Sequence, residues 1–476
     1  MNIESTLATG NWSGILKSFK VISPIDNSAY LQRDYATAKE IEGCVKAANN
    51  AKQMWKDVDL SERAKICHAM LDEFLKHKSQ IAEEITWQMG RPNRYTLGEV
   101  NGFIERARYM ISIAEKKLSP ILIPEQDDFN RYIERVPLGV IFVITPWNYP
   151  FLTAVNTIIP AIMAGNVVIM KPSAQAPLTA ERIDQAFKAV NLPDGVFQYL
   201  YLTHQQTDQV IGKSAINHVA FTGSVPGGLE IQKYAKKRFI SVGLELGGKD
   251  PAYVREDADL QYAIVNLVDG VYFNSGQSCC GVERIYVDQS VYEQFVEGFV
   301  EQVKRYKLGD PLDSESTLGP MMNKKSADFV RSQIADAVQQ GAEKQISNKE
   351  FEMDAGYTAY LAPQVLLNVD HSMRIMKEES FGPVVGIMKV NSDDQAIELM
   401  NDSDFGLTAS IWTQNMEQAE SIGRAVNTGT VFMNRCDYLD PALAWVGVKN
   451  SGQGCTLSEI GYEQLTRPKS FNLRKV

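Results

Sequence analysis

Three residues of the sequence could supply a nucleophile, a general base and an oxyanion donor, and the first of them is Cys279. It follows a Gly-Gln-Ser segment, where a sharp turn could hold the thiol beside backbone N–H groups. A cysteine thiolate is a strong nucleophile once it is activated. Most free cysteines, however, are small buried hydrophobic residues. The cysteine alone therefore favours a structural role.

The other two candidates are an acid and an amide. Glu245 lies between two leucines and just before a Gly-Gly turn, so desolvation would raise its pKa toward that of a usable general base. The alternative is an ion pair with Lys249. Asn148 lies in a loop stiffened by prolines, where its side-chain N–H could face a developing oxyanion. Asparagines in loops are more often turn formers, so each residue by itself is a weak signal.

Two segments suggest nucleotide binding. Lys171 ends a buried apolar run, and ligands of open α/β sheets bind at such strand ends. Gly223 and Gly228 lie between a predicted strand and a predicted helix, where a diphosphate could approach the backbone and the helix N-terminus. The glycine spacing matches neither the dinucleotide fingerprint nor the P-loop, so a tight structural turn is an equal alternative.

The elements that must position these residues alternate between strand and helix. About the first 115 residues are predicted to be mostly helical, with helices over 36–57 and 61–88 and a stop at Gly90. Short apolar strands separated by helices then indicate two successive parallel sheets covered on both faces. The predicted strands are 140–144, 167–170, 196–202 and 218–221, and then 252–254, 284–287, 384–390, 409–412 and 430–434. The predicted helices of the second series are 291–306, 325–340 and 393–401.

Two segments, 129–136 and 465–476, belong to neither series. Both alternate in the manner of strands and carry several charges, which predicts an exposed hairpin or a protruding sheet. Exposed strand edges invite partner strands, so we expect a homodimer or homotetramer.

Composition excludes several classes of protein. The 476 residues suggest about three domains at about 150 residues each, and the net charge of −10 argues against a nucleic-acid partner. The stretch between Arg135 and Lys171 has no charge, but its prolines and asparagines argue against a membrane span. The five histidines show no metal-ligand spacing, so no metal site is expected. The six cysteines form no disulfide framework and the N-terminus shows no signal peptide, which predicts a cytoplasmic location.

Seven motifs occur in one order along nearly the whole chain. They are Pro146-Trp-Asn-Tyr-Pro150, Lys171-Pro-Ser173, the Gly223–Gly228 turn, Leu244-Glu-Leu-Gly-Gly248, Gly276-Gln-Ser-Cys279, Glu378-Glu-Ser-Phe-Gly-Pro383 and Lys449-Asn-Ser-Gly-Gln-Gly454. With these motifs the sequence resembles the NAD(P)-dependent aldehyde dehydrogenase superfamily.

The resemblance implies an α/β fold with two Rossmann-like parallel-sheet domains and a small β oligomerisation extension. On that pattern the nucleotide-binding domain spans 1–117 and 138–247, and the catalytic domain spans 248–447. The β-extension spans 118–137 and 462–476.

The resemblance also implies a mechanism. Cys279 matches the nucleophile that attacks the aldehyde to give a thiohemiacetal, and Asn148 matches the amide that holds the oxyanion with the Cys279 backbone N–H. Hydride transfer to the nicotinamide leaves a thioester. Glu245 matches the base that activates water for hydrolysis to the carboxylic acid.

The implied cofactor is NADP or NAD, and several residues match the family's binding positions. Lys171 matches the adenosine-ribose contact, Ser224 the diphosphate contact, Glu379 the ligand of the nicotinamide ribose and Phe381 the ring beside it. The full implied set is Thr145, Pro146, Trp147, Lys171, Ser173, Ala174, Gly223, Ser224, Glu379 and Phe381. NAD-preferring members often carry Glu where this chain has Ala174. Without that carboxylate the 2′-phosphate of NADP is not repelled, so we expect the protein to accept NADP. NADP is also the candidate for the preferred cofactor.

The resemblance implies that the substrate is a small aldehyde. Members that act on succinic semialdehyde tend to carry Arg where this chain has Phe273, and another family arginine position is Asn156. Tyr149, Phe273 and Trp445 are expected to line the substrate tunnel, which favours an apolar or aromatic aldehyde. Arg435 is expected near the tunnel mouth, where a structural ion pair is favoured over anion binding. Cys455 stands where many members have Arg.

Two alternatives stay open. A CoA-acylating dehydrogenase would let CoA attack the thioester, although acylating relatives commonly lack an acid at the Glu245 position. A non-catalytic protein of the same fold is the other alternative, and the presence of Cys279, Asn148 and Glu245 together argues against it.

Overall fold

The computed structural model describes residues 17–476. The N-terminal segment on which the signal-peptide prediction rests, and the first part of the predicted nucleotide-binding domain, lie outside the described residues. Two mostly parallel sheets, of six and seven strands, form the body of the protein, and a three-stranded antiparallel sheet is built from separate parts of the chain. The predicted α/β architecture is therefore confirmed.

The strands are short and are numbered in chain order. They are β1 (Ser18–Ile22), β2 (Ala29–Asp34), β3 (Ile121–Leu122), β4 (Phe129–Pro137), β5 (Val140–Ile144), β6 (Val167–Lys171), β7 (Phe197–Tyr199), β8 (Ile216–Thr222), β9 (Ser241–Glu245), β10 (Asp250–Val254), β11 (Val282–Asp288), β12 (Glu343–Lys344), β13 (Gln364–Leu367), β14 (Val384–Val390), β15 (Phe405–Gly406), β16 (Thr408–Trp412), β17 (Thr430–Met433), β18 (Val448–Lys449), β19 (Gly452–Gln453) and β20 (Thr466–Arg474).

The helices cover both faces of the two large sheets. They are α1 (Ala38–Trp55), α2 (Leu60–Lys76), α3 (Lys78–Met89), α4 (Asn93–Leu118), α5 (Pro150–Met163), α6 (Leu178–Ala189), α7 (His204–Ile211), α8 (Val225–Ala235), α9 (Leu260–Tyr272), α10 (Tyr292–Val303), α11 (Lys324–Gln339), α12 (Arg374–Lys377), α13 (Asp393–Asn401), α14 (Met416–Ala425) and α15 (Ser458–Gln464). Short 3₁₀ turns occur at Phe273–Gly276 and Asn348–Glu350.

The six-stranded sheet has the order β19-β9-β8-β5-β6-β7. Its strands are parallel except for β19, which pairs antiparallel with β9 through Gly452↔Glu245 and Gln453↔Leu244. The strand β5 is buried along its whole length, because helices cover both of its faces. The chain runs outward from β5 in one direction through β6 and β7, and in the other through β8 and β9. The carboxyl ends of β5 and β8 therefore flank the point at which the strand order reverses, which is where open α/β sheets bind ligands.

The seven-stranded sheet has the order β12-β13-β14-β11-β10-β16-β17 and is parallel apart from the β12 edge. Its central strands carry the apolar, β-branched residues that predicted them from the sequence. The helix α9 and the 3₁₀ turn at Phe273–Gly276 lie between β10 and β11, so this sheet carries the segment of Cys279.

The third sheet confirms that the segments 129–136 and 465–476 form strands outside the two series. Its order is β20-β4-β3, and β20 pairs antiparallel with β4 from Thr466↔Pro137 to Arg474↔Phe129. The rings of Tyr132 and Phe471 stack across this pair with centroids 4.6 Å apart.

The N-terminal region differs from its prediction in two places. The prediction of a mostly helical start missed the antiparallel pair β1–β2, which is short and partly exposed and so lacks a strong apolar pattern. The single helix predicted over 61–88 is two helices, broken at His77 with φ −101° and ψ 11°. No glycine or proline marks that break, whereas Gly90 ends α3 at a φ of 80°, as predicted.

The uncharged stretch between Arg135 and Lys171 forms the end of β4, then β5, α5 and β6. Among residues 17–476, no helix combines the length and the apolar character needed to cross a bilayer.

Candidate functional site

The segment that leads to Cys279 has an unusual backbone. After α9 the chain passes through Asn274, Ser275 and Gly276 with φ values of 54°, 57° and 68°. Left-handed geometry costs residues other than glycine roughly 1–2 kcal/mol each, so such a run persists only where surrounding contacts hold it.

Side chains from distant parts of the chain supply those contacts. Arg91 Nε donates to Asn274 Oδ1 at 3.1 Å, and Ser275 Oγ donates to the Gly319 carbonyl at 2.8 Å. Gln277 Nε2 donates to the Asn274 carbonyl at 3.1 Å, and Gln277 Oε1 accepts from the Met322 amide at 2.7 Å. The loop of Cys279 is therefore fixed from both sides.

A buried ion pair that the sequence did not reveal lies behind this loop. Arg91 Nη1 is 2.6 Å from Glu99 Oε2, and both side chains are almost fully buried. Glu99 Oε1 accepts from the Phe151 amide at 2.9 Å, at the start of α5. Arg91 Nη2 donates to the Asn148 carbonyl. In the sequence, the role of Arg91 was indicated only by its position directly after Gly90, which ends a helix. A charged residue in a buried turn needs a partner.

The Asn148 side chain lies against the Cys279 loop. Its Nδ2 donates to the Gln277 carbonyl at 3.1 Å, and the residue is buried. The structure therefore places the side chain of this candidate oxyanion donor against Gln277, which lies two positions before the candidate nucleophile Cys279.

Glu245 is the last residue of β9 and is held by hydroxyl groups. Its Oε2 accepts from Thr222 Oγ1 at 3.0 Å, and its Oε1 accepts from Thr456 Oγ1. Burial raises the pKa of Glu245, while the two hydroxyl groups and the Arg106 cation oppose that rise. The ion pair with Lys249 considered from the sequence is absent, because Lys249 Nζ pairs with Glu283 Oε2 at 2.5 Å.

A small cavity of about 30 Å³ adjoins Glu245. Its walls include His218, Trp445, Cys455 and Thr456, so the cavity has room and polar partners for water. The structure places Trp445, predicted as a tunnel residue, beside the candidate base.

Two consecutive glycines join these parts of the site. A side chain at Gly248 would collide with the Cys279 carbonyl oxygen, and a side chain at Gly247 would overlap the Glu379 carboxylate. The Gly-Gly turn after Glu245 therefore lets the Cys279 loop approach on one side and the Glu379 loop on the other.

Glu379 and Phe381 lie on a loop supported by the buried Lys249–Glu283 pair. Glu379 Oε1 accepts from the Gly248 amide at 3.1 Å, and burial together with the nearby Glu283 carboxylate raises the pKa of Glu379 to about 8. The Phe381 amide donates to Glu283 Oε1 at 2.8 Å. The Phe381 ring meets the Trp147 ring edge to face with centroids 5.9 Å apart. Two predicted cofactor residues are thus in contact.

Arg106 is a second charged residue that the sequence did not reveal. It lies on α4, and its Nη1 donates to the Leu152 carbonyl at 2.9 Å and to Asn156 Oδ1 at 3.2 Å. No carboxylate of residues 17–476 forms an ion pair with it, and burial lowers its pKa. The carboxylates of Glu245 and Glu99 and the side chains of Cys280 and Cys279 lie within electrostatic reach of this guanidinium. Arg106 therefore places a buried positive charge close to both the candidate nucleophile and the candidate base.

The remaining predicted cofactor residues lie at the carboxyl ends of β5, β6 and β8. The Thr145 amide, after β5, donates to the Lys171 carbonyl at 3.2 Å. Ser173 Oγ accepts from the Gln175 amide at 3.2 Å, and Ala174 is exposed. Gly223 precedes Ser224, which caps α8 by accepting from the Gly227 amide at 3.3 Å. Pro146 follows Thr145 in the loop before α5.

This edge of the sheet fits a dinucleotide. The Thr145 hydroxyl is buried without a hydrogen-bond partner in the described chain, and no ion pair among residues 17–476 involves Lys171. Burial lowers the pKa of Lys171 to about 8. Burial and the Lys171 charge also lower the pKa of His204, at the start of α7. A buried cation without a counter-ion at a sheet edge and a helix N-terminus suit a phosphate-bearing ligand.

The other predicted tunnel residues lie near the Arg91 side of the site. The Arg91 guanidinium lies 4.4 Å from the Tyr149 ring centroid, and the Tyr149 hydroxyl is buried without a hydrogen-bond partner in residues 17–476. Phe273 packs edge to face on Tyr95 with centroids 5.3 Å apart. The Arg435 guanidinium lies 3.3 Å from the centroid of the Tyr438 ring, and no ion pair among residues 17–476 involves Arg435.

Residues 17–476 contain no cluster of three or more His, Cys, Asp or Glu side chains that could hold a metal ion. The six cysteines, all within the described range, are unpaired. The fold and the site thus define a two-sheet α/β enzyme in which the Asn148 amide and the turn after Glu245 contact the loop of Cys279, beside a sheet edge that suits a dinucleotide.

Comparison with known proteins identifies the family. The profile of the aldehyde dehydrogenase family matches residues 12–471. Aldehyde dehydrogenase 1A1 of Oryctolagus cuniculus is 33% identical over 465 residues, covering 96% of this chain and 93% of that protein. The chain belongs to the aldehyde dehydrogenase family and is an NAD(P)-dependent enzyme, as the sequence motifs predicted.

Solved structures agree with this assignment. The NADP-dependent glyceraldehyde-3-phosphate dehydrogenase of Bacillus halodurans, complexed with NADP, has a TM-score of 0.91 at 31% identity and covers 96% of each chain. The betaine aldehyde dehydrogenase of Staphylococcus aureus, in complex with NAD⁺, has a TM-score of 0.90 at 28% identity, covering 96% of this chain and 92% of that one.

Proposed function

We propose that this protein oxidises an aldehyde to the carboxylic acid with NADP or NAD through a thioester on Cys279. The observation that carries the proposal is the convergence at the Cys279 loop. Asn148 Nδ2 reaches the Gln277 carbonyl, and the turn directly after Glu245 packs on the Cys279 carbonyl. Cys279 as nucleophile, Asn148 as oxyanion donor and Glu245 as base then serve one carbonyl group of the substrate.

Each residue has a defined task. Cys279 Sγ attacks the aldehyde carbon, and Asn148 Nδ2 with the Cys279 amide stabilises the resulting oxyanion. The bound nicotinamide supplies the hydride acceptor, and the enzyme is left as a thioester. Glu245 then takes a proton from water, whose oxygen attacks the thioester carbon, and the C–S bond breaks to release the acid and the Cys279 thiolate.

The Glu245 carboxylate favours hydrolysis of the thioester over its attack by CoA. Glu245 lies beside a cavity with room for water, which favours water as the second nucleophile. Adding CoA to the assay should leave the rate and the product unchanged, whereas formation of an acyl-CoA would support the acylating alternative.

The test is stopped-flow measurement of nicotinamide reduction with a panel of aldehydes. Cys279→Ala should abolish reduction, and Glu245→Gln should give a burst of about one equivalent without turnover, because acylation precedes the step that needs the base. Full turnover in Glu245→Gln would remove Glu245 from the mechanism. Full turnover in Cys279→Ala would overturn the whole proposal.

We also propose that NADP is accepted and is preferred to NAD. The Lys171 charge acts on His204, so the two residues are close in space, and Ala174 supplies no carboxylate three residues after Lys171. Ala174→Glu should lower kcat/KM for NADP at least about tenfold and leave that for NAD nearly unchanged, since like charges repel at short range. A wild-type kcat/KM for NADP below that for NAD would contradict the preference, and a value a thousandfold below it would also contradict acceptance.

For the substrate we propose an apolar or aromatic aldehyde. Tyr149 and the Phe273–Tyr95 pair supply aromatic surface near the Cys279 loop, and neither Phe273 nor Asn156 supplies the arginine of relatives that bind a distal carboxylate. In the aldehyde panel, benzaldehyde and hexanal should show higher kcat/KM than succinic semialdehyde. The reverse order would contradict this choice.

We propose the three-part division of the chain given by the sequence, with the β20-β4-β3 sheet as the oligomerisation extension of a homodimer or homotetramer. The β3 edge supports this role, because Ile121 and Leu122 are exposed at 44% and 81%. Light scattering coupled to size-exclusion chromatography should show an oligomer that Leu122→Lys weakens. A monomeric wild type would contradict it. The unpaired cysteines favour a reducing, cytoplasmic setting.

A further inference from the structure

Asp437, in the loop after β17, contacts both neighbours of Cys279. Its Oδ1 accepts from Ser278 Oγ at 2.9 Å and from Cys280 Sγ at 3.0 Å. One carboxylate oxygen therefore spans the residue between them, which is the proposed nucleophile.

The segment that carries Asp437 is itself anchored to the nucleophile's own domain. Cys436 Sγ lies 3.5 Å from the Asn266 carbonyl and packs against Gly270, both on the helix α9 that runs into the Cys279 loop. Asp437 has a φ of 47°, a left-handed geometry that its contacts must maintain. The loop after β17 is thus fixed on α9 and contacts both residues that flank Cys279.

The charges around Asp437 keep this contact intact near neutral pH. Burial raises its pKa to about 6, opposed by the hydrogen bonds from Cys280 and Ser278 and by the Arg91 charge, while the Asp269 charge raises it further. The Tyr149 phenol also faces Asp437. The pKa of Cys280 lies well above its ordinary value, because of its contact with Cys279 and its burial, so its thiol stays protonated and can donate.

We propose that Asp437 is a positioning residue for the dehydrogenase reaction: its Oδ1 holds Ser278 and Cys280 together and thereby orients Cys279 Sγ toward the aldehyde carbon. The proposal rests on the proposed function, in which Cys279 is the nucleophile. Asp437 itself touches neither substrate nor cofactor in this scheme. Its effect is therefore expected in kcat more than in the aldehyde KM, because misplacing a reacting atom by about 1 Å can cost about a hundredfold in rate.

Two substitutions separate the carboxylate oxygen from the backbone geometry. Asp437→Asn keeps an acceptor oxygen and tolerates a positive φ. Asp437→Gly tolerates the same φ but has no acceptor. The matched control is Asp440→Gly, three residues further along the same loop, where an exposed carboxylate accepts from the Ala442 amide. If Asp437→Gly fails to fold, Ser278→Ala removes one of the two donors with Asp437 in place.

The measurements are kcat and KM, the melting temperature, and the rate at which iodoacetamide alkylates Cys279, followed by peptide mass spectrometry. We expect Asp437→Asn and the control to stay within about threefold of wild type. Asp437→Gly should lower both kcat and the alkylation rate about tenfold or more, with KM within about threefold. Ser278→Ala should move the same two rates in the same direction by less.

Wild-type rates in Asp437→Gly would overturn the positioning role. Equal losses in the Asn and Gly variants would also overturn it, because charge and not the acceptor oxygen would then be responsible. These outcomes differ from failure of the proposed function, which would show as retained turnover in Cys279→Ala.

Discussion

The segment around Cys279 is tied to distant parts of the chain by Arg91, Gly319, Met322 and Asp437. The Glu245 carboxylate, in contrast, is held by two hydroxyl groups beside a small cavity. The first region contains consecutive left-handed residues and a buried ion pair. The second is an ordinary strand end whose carboxylate is held by hydrogen bonds from side chains. The two proposed catalytic groups therefore differ in what fixes them, backbone in one case and side chain in the other.

This difference suits their proposed tasks. A nucleophile must meet one carbon atom at a defined angle, which rewards a rigid backbone. A base must collect a proton from a water molecule that arrives later, which requires a suitable pKa and room for the water. Variants should therefore disturb folding when they touch the Cys279 side and the pH dependence when they touch the Glu245 side.

The largest effect is expected from Arg91→Met. It leaves the buried Glu99 charge without its partner, which typically costs about 3–5 kcal/mol of unfolding free energy. Urea unfolding followed by fluorescence should show that loss together with loss of turnover. The control is Lys65→Met, which breaks an exposed pair with Glu62 and should cost at most about 0.5 kcal/mol. A stable and active Arg91→Met would show that the Cys279 loop does not need the pair.

Thr456→Val should act on the pH profile instead. Thr456 is the strongest of the groups that lower the pKa of Glu245, so its removal lets burial raise that pKa further. Glu245 accepts a proton only when ionised, so turnover rises with pH through its pKa, and the rising limb should move to higher pH. At pH 6 we expect turnover to fall about tenfold, with rates at pH 9 within about twofold of wild type. A rising limb that stays in place would contradict the role of Thr456.

Arg106→Gln should shift the same limb in the same direction by less. The Arg106 cation is the weakest of the three groups that lower the pKa of Glu245. Glutamine can still donate to the Leu152 carbonyl, so the substitution tests the charge more than the packing. Comparing the pH profiles of the two variants ranks the hydroxyl against the charge. A larger shift in Arg106→Gln than in Thr456→Val would reverse that ranking.

Tyr149→Phe should have the smallest effect on the free protein, although it lies on the Cys279 side. Its hydroxyl is buried and has no hydrogen-bond partner in residues 17–476, so its removal should change stability by less than about 0.5 kcal/mol. Thermal unfolding checks this, and the same variant assayed with hydroxylated and plain aldehydes reports whether the hydroxyl contacts substrate. A clear loss of stability without substrate would show that the hydroxyl has a partner in the folded protein.

Sequence patterns located the parts of the site that are local in the chain. Cys279, Glu245 and Asn148 each lie in a short motif, and their neighbours in sequence are also their neighbours in space. The apolar runs of β5, β10 and β14 predicted buried parallel strands, because strands covered on both faces are apolar along their whole length.

The groups that hold the site were missed because their partners are far away in sequence. Arg91 reaches Asn274, and Thr456 reaches Glu245, across separations that no periodicity records. The short strands β1, β2 and β19 were missed for a different reason. They are partly exposed and polar, so their pairing follows from the surrounding chain more than from their own residues.

The strand β19 has a consequence for how the chain is made. Gly452 pairs with Glu245, so the sheet that contains β5 gains its edge strand β19 only after residues 452–453 have left the ribosome. Domains generally fold as they are synthesised, and contacts between distant segments form late. A nascent chain that stops before residue 452 should hold its dinucleotide edge but lack both β19 and the Thr456 hydroxyl. The proposed base therefore acquires its surroundings only after a segment more than 200 residues further along the chain has been made.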